Sequence, residues 1–238
     1  MENGTYAGIT RQHGLMAEMR TIANNIANAS TTGFKAEGVI FAEHIKRLDH
    51  GHSSLSMATA SVRDTAMTQG GLAQTGGTFD LAIEGDGFFL IQTPQGERLT
   101  RAGSFTPNGN GDLVTMDGHP VLDAGGAPIF VPQGGGKIAI APDGTLSAAG
   151  QPVGQIGLVV PSDPDRMSRH GGTMFEAAGG YEPSLDGRMM QGFLEQSNVN
   201  SIVQIGRMIE VQRAYELGQS FLEKEDERIR GVIKSLSR

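Results

Sequence analysis

Apolar residues recur at helical spacing at both ends of this chain, and each end must find cover for the stripe it makes. Leu15, Met19, Ile22 and Ile26 follow a four-three-four spacing, and Ile9, Met16 and Ala23 add a second row seven apart. Together they paint one wide face of a helix. At the other end Met208, Tyr215, Leu222, Ile229 and Leu236 repeat every seventh residue, with Val211 and Val232 between them and Ile202, Ile205 and Ile209 leading in. A sustained seven-residue repeat is the pattern of a coiled-coil seam. Helices are predicted over about Thr5–Asn28 and Val199–Leu236. Most amphipathic helices lie as lids on their own domain, but a lone helix of this kind is marginal in water. The two termini are therefore expected to pair, with neighbouring molecules covering what the pair leaves bare.

Between the helices the texture is different. There are 35 glycines in 238 residues, roughly twice the usual share of about 7%, and they mark turns. Short alternating runs begin near Gly70: Phe79, Leu81 and Ile83 alternate, Glu84-Gly85-Asp86-Gly87 turns, and Phe88 to Ile91 returns. Further turn signals fall at Pro94-Gln95-Gly96, Pro107 to Gly111, Asp117-Gly118, Gly125-Gly126 and Pro142-Asp143-Gly144, beside strand candidates such as Leu113–Thr115 and Ile156–Val160. This gives an α+β chain: an antiparallel all-β central domain flanked by N- and C-terminal helices that pair as a coiled coil. Its expected divisions are an N-terminal assembly helix (1–30), an extended connector (31–68), a β-rich domain (69–192) and a C-terminal assembly helix (193–238). Within the connector, His50 to Ser54 is expected to be exposed loop.

Composition narrows the function classes. The net charge is −7 with no long basic run, which excludes a phosphate backbone as the main partner. No stretch approaches the roughly 20 apolar residues that span a bilayer, and no Sec-type leader pattern opens the sequence, so neither membrane insertion nor a cleaved signal peptide is expected. Cysteine is absent, which removes disulfides and thiolate metal sites.

No motif for chemistry survives inspection. Glu43, His44, Asp49, His50 and His52 form the one local group of metal-ligand types, at spacings unlike those of zinc sites. Gly134-Gly135-Gly136-Lys137 lacks the first glycine and the hydroxyl of a phosphate loop, with Val131 and Ile138 in those places. Asn108, Asn110 and Asp112 begin like a calcium loop, but Leu113 occupies the glycine position. Glu84 and Asp86 flank a tight turn, where carboxylates are ordinarily solvated. There is no Gly-x-Ser-x-Gly elbow. Neither an enzyme nor a cofactor is expected.

Three segments carry a family resemblance. Ala23-Asn24-Asn25-Ile26-Ala27-Asn28-Ala29-Ser30-Thr31-Thr32-Gly33-Phe34-Lys35 resembles the N-terminal signature of bacterial flagellar rod and hook proteins. Asp80 to Phe89, followed by Thr100-Arg101-Ala102-Gly103-Ser104-Phe105, resembles their β-domain signature. Leu194 to Asn200, leading to Met208-Ile209 and Gln212-Arg213-Ala214-Tyr215-Glu216, resembles their C-terminal one. The opening through Arg11-Gln12, Glu18-Met19 and Ala36-Glu37 is most similar to a proximal-rod member, with a distal-rod or hook-type member as the alternative. One departure is Gln204-Ile205-Gly206-Arg207, where relatives tend to carry an acidic pair.

The resemblance implies a structural axial subunit, exported unfolded through the flagellar type III apparatus and polymerised in the periplasmic part of the basal body into the tube that carries torque to the hook. Its partners would be copies of itself and other proximal and distal rod proteins. The residues expected at the assembly interface are Leu15, Met19, Ile22, Asn24, Asn25, Ile26, Asn28 and Phe34, with Ile205, Met208, Ile209, Val211, Tyr215, Leu222, Ile229 and Leu236. The asparagines serve equally well as helix-end caps. A coiled-coil adhesin or phage-tail-like module also joins heptads to glycine-rich β structure, but such modules normally carry one continuous stalk.

Overall fold

The computed structural model describes residues 2–46, 55–134 and 136–236, and the backbone alone at 2–6, 41–46, 55–63 and 236. The chain divides into two compact units: residues 1–29, 36–67 and 199–238 form the first, and residues 30–35 with 68–198 the second.

The first unit holds both helices and a hairpin. Helix α1 runs Glu2–Ala27, and strands β1 (Glu37–Lys46) and β2 (Leu55–Thr65) pair antiparallel with a bulge between Ile40 and Phe41. The stretch read from sequence as an extended connector thus contains two paired strands lying against α1. Small residues such as Ala58, Ala60 and Ser61 hide the alternation that would have announced the second strand. The loop expected at His50 to Ser54 lies outside the described residues. Helix α2 runs Ser201–Leu236. Asn200 caps it: its Oδ1 accepts from the amides of Ile202 and Val203 at 3.1 and 3.2 Å.

The second unit is antiparallel β structure throughout its described strands. In chain order these are β3 (Leu72–Gln74), β4 (Leu81–Glu84), β5 (Phe88–Thr93), β6 (Gly96–Thr100), β7 (Phe105–Pro107) and β8 (Leu113–Thr115). There follow β9 (Ile138–Ile140), β10 (Thr145–Ala148), β11 (Gln151–Gln155), β12 (Leu158–Pro161) and β13 (Met167–Arg169). The last are β14 (Met174–Ala177), β15 (Tyr181–Pro183), β16 (Arg188–Gln191) and β17 (Phe193–Glu195). A six-stranded sheet has the order β13-β14-β6-β5-β12-β15, a three-stranded one β11-β10-β9, and the remaining strands pair as β16-β4, β17-β3 and β7-β8.

The predicted turns at Pro94 to Gly96, Pro107 to Gly111 and Pro142 to Gly144 all connect paired strands. The return at Glu84 to Gly87 does not: β4 pairs with β16, while β5 pairs with β6 and β12. Leu81, Ala82 and Ile83 are all buried, so β4 is covered on both faces and its apparent alternation comes from alanine being small. Two clusters fill the unit. One gathers Leu81, Ile83, Phe89, Phe105, Leu113, Val121 and Leu146 with their neighbours, the other Phe88, Leu90, Leu99, Leu122, Val159 and Phe175. Because β17 pairs with β3 through Glu195↔Leu72, the β unit extends past the expected limit at 192, and helix begins only at Ser201.

Candidate functional site

Within the first unit α1 and α2 lie side by side and antiparallel. Gln12 Nε2 donates to the Tyr215 carbonyl at 2.9 Å, Arg207 Nε to Glu18 Oε1 at 2.7 Å, and Asn25 Nδ2 to Gln204 Oε1 at 3.4 Å. The Glu18 carboxylate raises the Arg207 guanidinium above its usual range through that hydrogen bond. Leu15, Ile22 and Val211 are buried between the helices, joined by Met19, Ile26, Met208, Ala214 and Tyr215. Gly8 and Gly218 leave room for side chains of the opposite helix. A Cβ on Gly218 would sit 2.3 Å from Gln12 Nε2, and one on Gly8 would sit 3.0 Å from Leu222 Cδ2.

The sixteen residues expected at an interface fall into distinct places. Leu15, Met19, Ile22, Ile26, Met208, Val211 and Tyr215 face the partner helix of the same chain, as does Leu222 through Gly8. Asn25 is buried and reads the backbone of β1: its Nδ2 donates to the Glu37 carbonyl at 2.7 Å, and its Oδ1 accepts from the Glu37 amide at 2.9 Å. Asn28 Nδ2 donates to the Asn24 carbonyl at 2.9 Å and to Asn24 Oδ1 at 3.1 Å, closing the last turn of α1. Phe34 lies in the β unit, 1% exposed, beneath the Arg169 guanidinium at 4.4 Å; it serves the chain's own interior. Leu236 ends α2, and its side chain lies outside the described residues.

Ile205, Ile209 and Ile229 are left on the surface. Ile205 and Ile209 join Ile202, which is 83% exposed, at i, i+3 and i+7 on the side of α2 away from Val211. Leu217 and Phe221 stand exposed beside a groove of about 480 Å³ between the helices, floored by Ala7, Leu15 and Ala214. In that groove the Gln12 Oε1 is buried and accepts no hydrogen bond among the described residues. If the pairing of Gly8 with Leu222 is continued, the start of α1 comes opposite the region of Arg228. Ile229, Val232 and Ile233 then project beyond it, all exposed.

A second constellation, which sequence reasoning did not find, lies in the β unit. Lys35 Nζ meets Glu195 Oε1 at 2.6 Å, and Arg101 Nη1 meets Glu195 Oε2 at 3.2 Å. All three side chains are at most 5% exposed. The Gly70 amide donates to Glu195 Oε1 at 2.9 Å, Lys35 Nζ also donates to the Thr68 carbonyl at 2.9 Å, and Arg101 Nη2 donates to the Gly85 carbonyl at 2.9 Å. Burial pushes Lys35 and Arg101 below their usual ranges, while Glu195 works against that shift. Lys35, Arg101 and Glu195 each stand within the family-like segments quoted above, but nothing in their spacing announces that they meet.

The segment that begins like a calcium loop is a turn. Asn108 Oδ1 accepts from the amides of Asn110 and Asp112, both at 2.9 Å. Gly134 and Gly136 adopt positive φ, and Gly135 lies outside the described residues. Glu43 and His44 stand on β1, while Asp49, His50 and His52 lie outside the described residues. Among the described residues no group of three or more histidine and carboxylate side chains could hold a metal ion, and no helix is long and apolar enough to cross a membrane.

Family models match three stretches: the flagella basal body rod protein family at residues 6–35, the D1 domain of flagellar hook proteins FlgE/F/G at 82–148, and the C-terminal region of flagellar basal body rod FlgEFG proteins at 190–234. The chain is 39% identical to the flagellar basal-body rod protein FlgF of Caulobacter vibrioides, over all of this chain and 99% of that one. It is 40% identical to FlgF of Mesorhizobium japonicum over 91% of this chain and 90% of the other. Identity falls to 31% with the rod protein FlgG of Bacillus subtilis, over 98% of both chains. With helices, β unit and terminal signatures all matched in order, the chain belongs to the flagellar basal-body rod protein family, as a structural rod subunit of the FlgF type.

Proposed function

We propose that this subunit polymerises with copies of itself and with other rod proteins into the proximal part of a helical axial tube, which carries torque from motor to hook. Neighbouring helices cover the apolar surface that α1 and α2 leave bare, and the antiparallel pair continues as a coiled-coil seam through the stack. The observation that carries this reading is the set of exposed apolar side chains on α2, Ile202, Ile205, Ile209, Leu217, Phe221 and Ile229, in a chain of a rod protein family. Exposed apolar patches such as that of Ile202, Ile205 and Ile209 mark interaction sites, and Gln12 Oε1 offers an incoming donor a buried acceptor.

Non-closing, head-to-tail contacts of this kind build filaments and tubes. The same reading has the chain leave the cytoplasm unfolded through the flagellar type III apparatus and fold in the periplasmic space. A distal-rod or hook-type subunit of the same family is the second reading, kept open because the matching domain models are described for hook and rod proteins together. Deleting the gene tests the proposal. Cells lacking this chain are expected to make no hooks or filaments, with both restored by an untagged copy, and normal flagella in the deletion strain would reject a rod role.

A further inference from the structure

Three separate stretches of chain meet at Glu195, and each borders a point where the chain passes from one unit to the other. Residues 30–35 lead out of the β unit at both ends, residue 68 leads in, and residue 198 leads out. Glu195 holds all three. Its carboxylate takes Lys35 and the Gly70 amide, and its backbone carbonyl accepts from the Gly33 amide at 2.7 Å. The stretches are also tied to one another. Asn198 donates through its amide to the Phe34 carbonyl at 3.3 Å and through Nδ2 to the Thr68 carbonyl at 3.0 Å, while the Gln196 amide donates to the Gly71 carbonyl at 2.8 Å. Arg169 completes the seat from β13. It stacks between Phe34 and Phe175, at 4.4 and 4.8 Å from their centroids, and donates to the Lys35 carbonyl.

We infer that the Glu195 cluster is a latch: one cooperative unit that ties these three stretches to the β unit and opens as a whole while the two apolar clusters stay folded. The chemistry is that of a single shared anion. The latch stretches carry one large apolar side chain, Phe34, and are otherwise held by hydrogen bonds, ion pairs and the cation–π contacts of Arg169 over Phe34 and Phe175 and of Arg101 over Phe88, so their opening exposes far less apolar surface than global unfolding and separates from it. Once the carboxylate lets go, Lys35 and Arg101 are two buried cations that have lost the anion they share, and the segments they anchor have no reason to stay. Opening would lengthen every linker that leaves the β unit without unfolding the unit itself. The glycines are fitted to the closed state. Gly33 has φ +70, and a Cβ there would lie 2.3 Å from the Ala102 nitrogen; a Cβ on Gly70 would lie 1.9 Å from the Gln196 carbonyl oxygen.

Native-state hydrogen exchange on the full chain, followed against low urea, tests the latch. The amides of Gly33, Gly70, Gln196 and Asn198 are expected to share one opening equilibrium with a shallow urea dependence, distinct from the steeper one of Val121 and Leu122 in the core. Four unrelated urea dependences, or a single one shared with Val121 and Leu122, would overturn it. In the Glu195→Gln variant all four amides are expected to lose protection by a common factor of at least roughly 100-fold. Acceleration confined to Gly70, whose acceptor is the altered group, would overturn it as well. The wild-type experiment decides the matter even if the variant fails to fold.

Discussion

Replacing Glu195 by glutamine should be among the most damaging single changes in the β unit, and more damaging than removing either cation. The carboxylate is buried between Lys35 at 2.6 Å and Arg101 at 3.2 Å. Glutamine keeps the shape and one acceptor for the Gly70 amide but leaves two buried positive charges facing an amide. Breaking a buried pair by removing one partner costs about 3–5 kcal/mol. Lys35→Met is different in kind. It leaves Arg101 and Glu195 as a neutral pair and removes a hydrogen bond to the Thr68 carbonyl, so it should cost about 1–2 kcal/mol. The double variant should be less damaging than the sum of the singles, because one stranded cation is gone. At about 2–4 °C per kcal/mol for a protein of this size, Glu195→Gln should lower Tm by roughly 6–20 °C. Circular dichroism is the suitable probe, since the chain has no tryptophan and three tyrosines. A Glu195→Gln cost below about 1 kcal/mol, or a Lys35→Met cost equal to it, would refute the shared-anion argument.

Gly33→Ala forces a side chain into a φ of +70 against the Ala102 backbone, so urea titration should show a loss of about 2 kcal/mol or more. Asn25→Ala removes both hydrogen bonds to the Glu37 peptide and should cost about 1–3 kcal/mol, with the Glu37 amide exchanging faster. The paired substitution of Ile205 and Ile209 by serine touches exposed side chains; it should leave the thermal midpoint nearly unchanged, within about 0.5 kcal/mol per site, yet abolish swimming in soft agar. Burial first, and the hydrogen bond to Glu97 at 2.8 Å second, raise the Tyr181 phenol to about 12. The folded state therefore holds its proton where the unfolded chain has lost it, so this stabilisation is present below the ordinary tyrosine range and is lost as pH rises from 10.0 to about 12. Phenolate absorbance should show one late-titrating tyrosine, and Glu97→Gln should bring it earlier.

Much of this was legible in the residues, for reasons that differ by element. The helices declare themselves because their stripes repeat over many turns, and Asn200 is a local cap readable from its neighbours. Turns at Pro94 to Gly96 and Pro142 to Gly144 are short-range events written in glycine and proline. What escaped is long-range. Glu195 finds Lys35 and Arg101 at sequence separations of 160 and 94, and no periodicity encodes such a meeting. The partnering of β4 with β16 instead of β5 was missed for the same reason. The asparagines show a third limit. Asn24, Asn25 and Asn28 look alike in sequence, yet Asn25 is buried against a strand backbone while Asn24 and Asn28 close a helix end. The stripes themselves do not say which residues a partner helix of the same chain covers, as it does Val211, and which stay bare, as does Ile209.

The central claim is that other molecules cover the bare face of α2. The chain lacks cysteine, so a single thiol placed by Ile209→Cys reports on that face alone. Its alkylation should be fast in the purified monomer and at least roughly tenfold slower in isolated basal bodies, the signature of a residue that passes from surface to interface. Equal rates in the two states would show that Ile209 stays open to solvent in the rod, and would contradict the account.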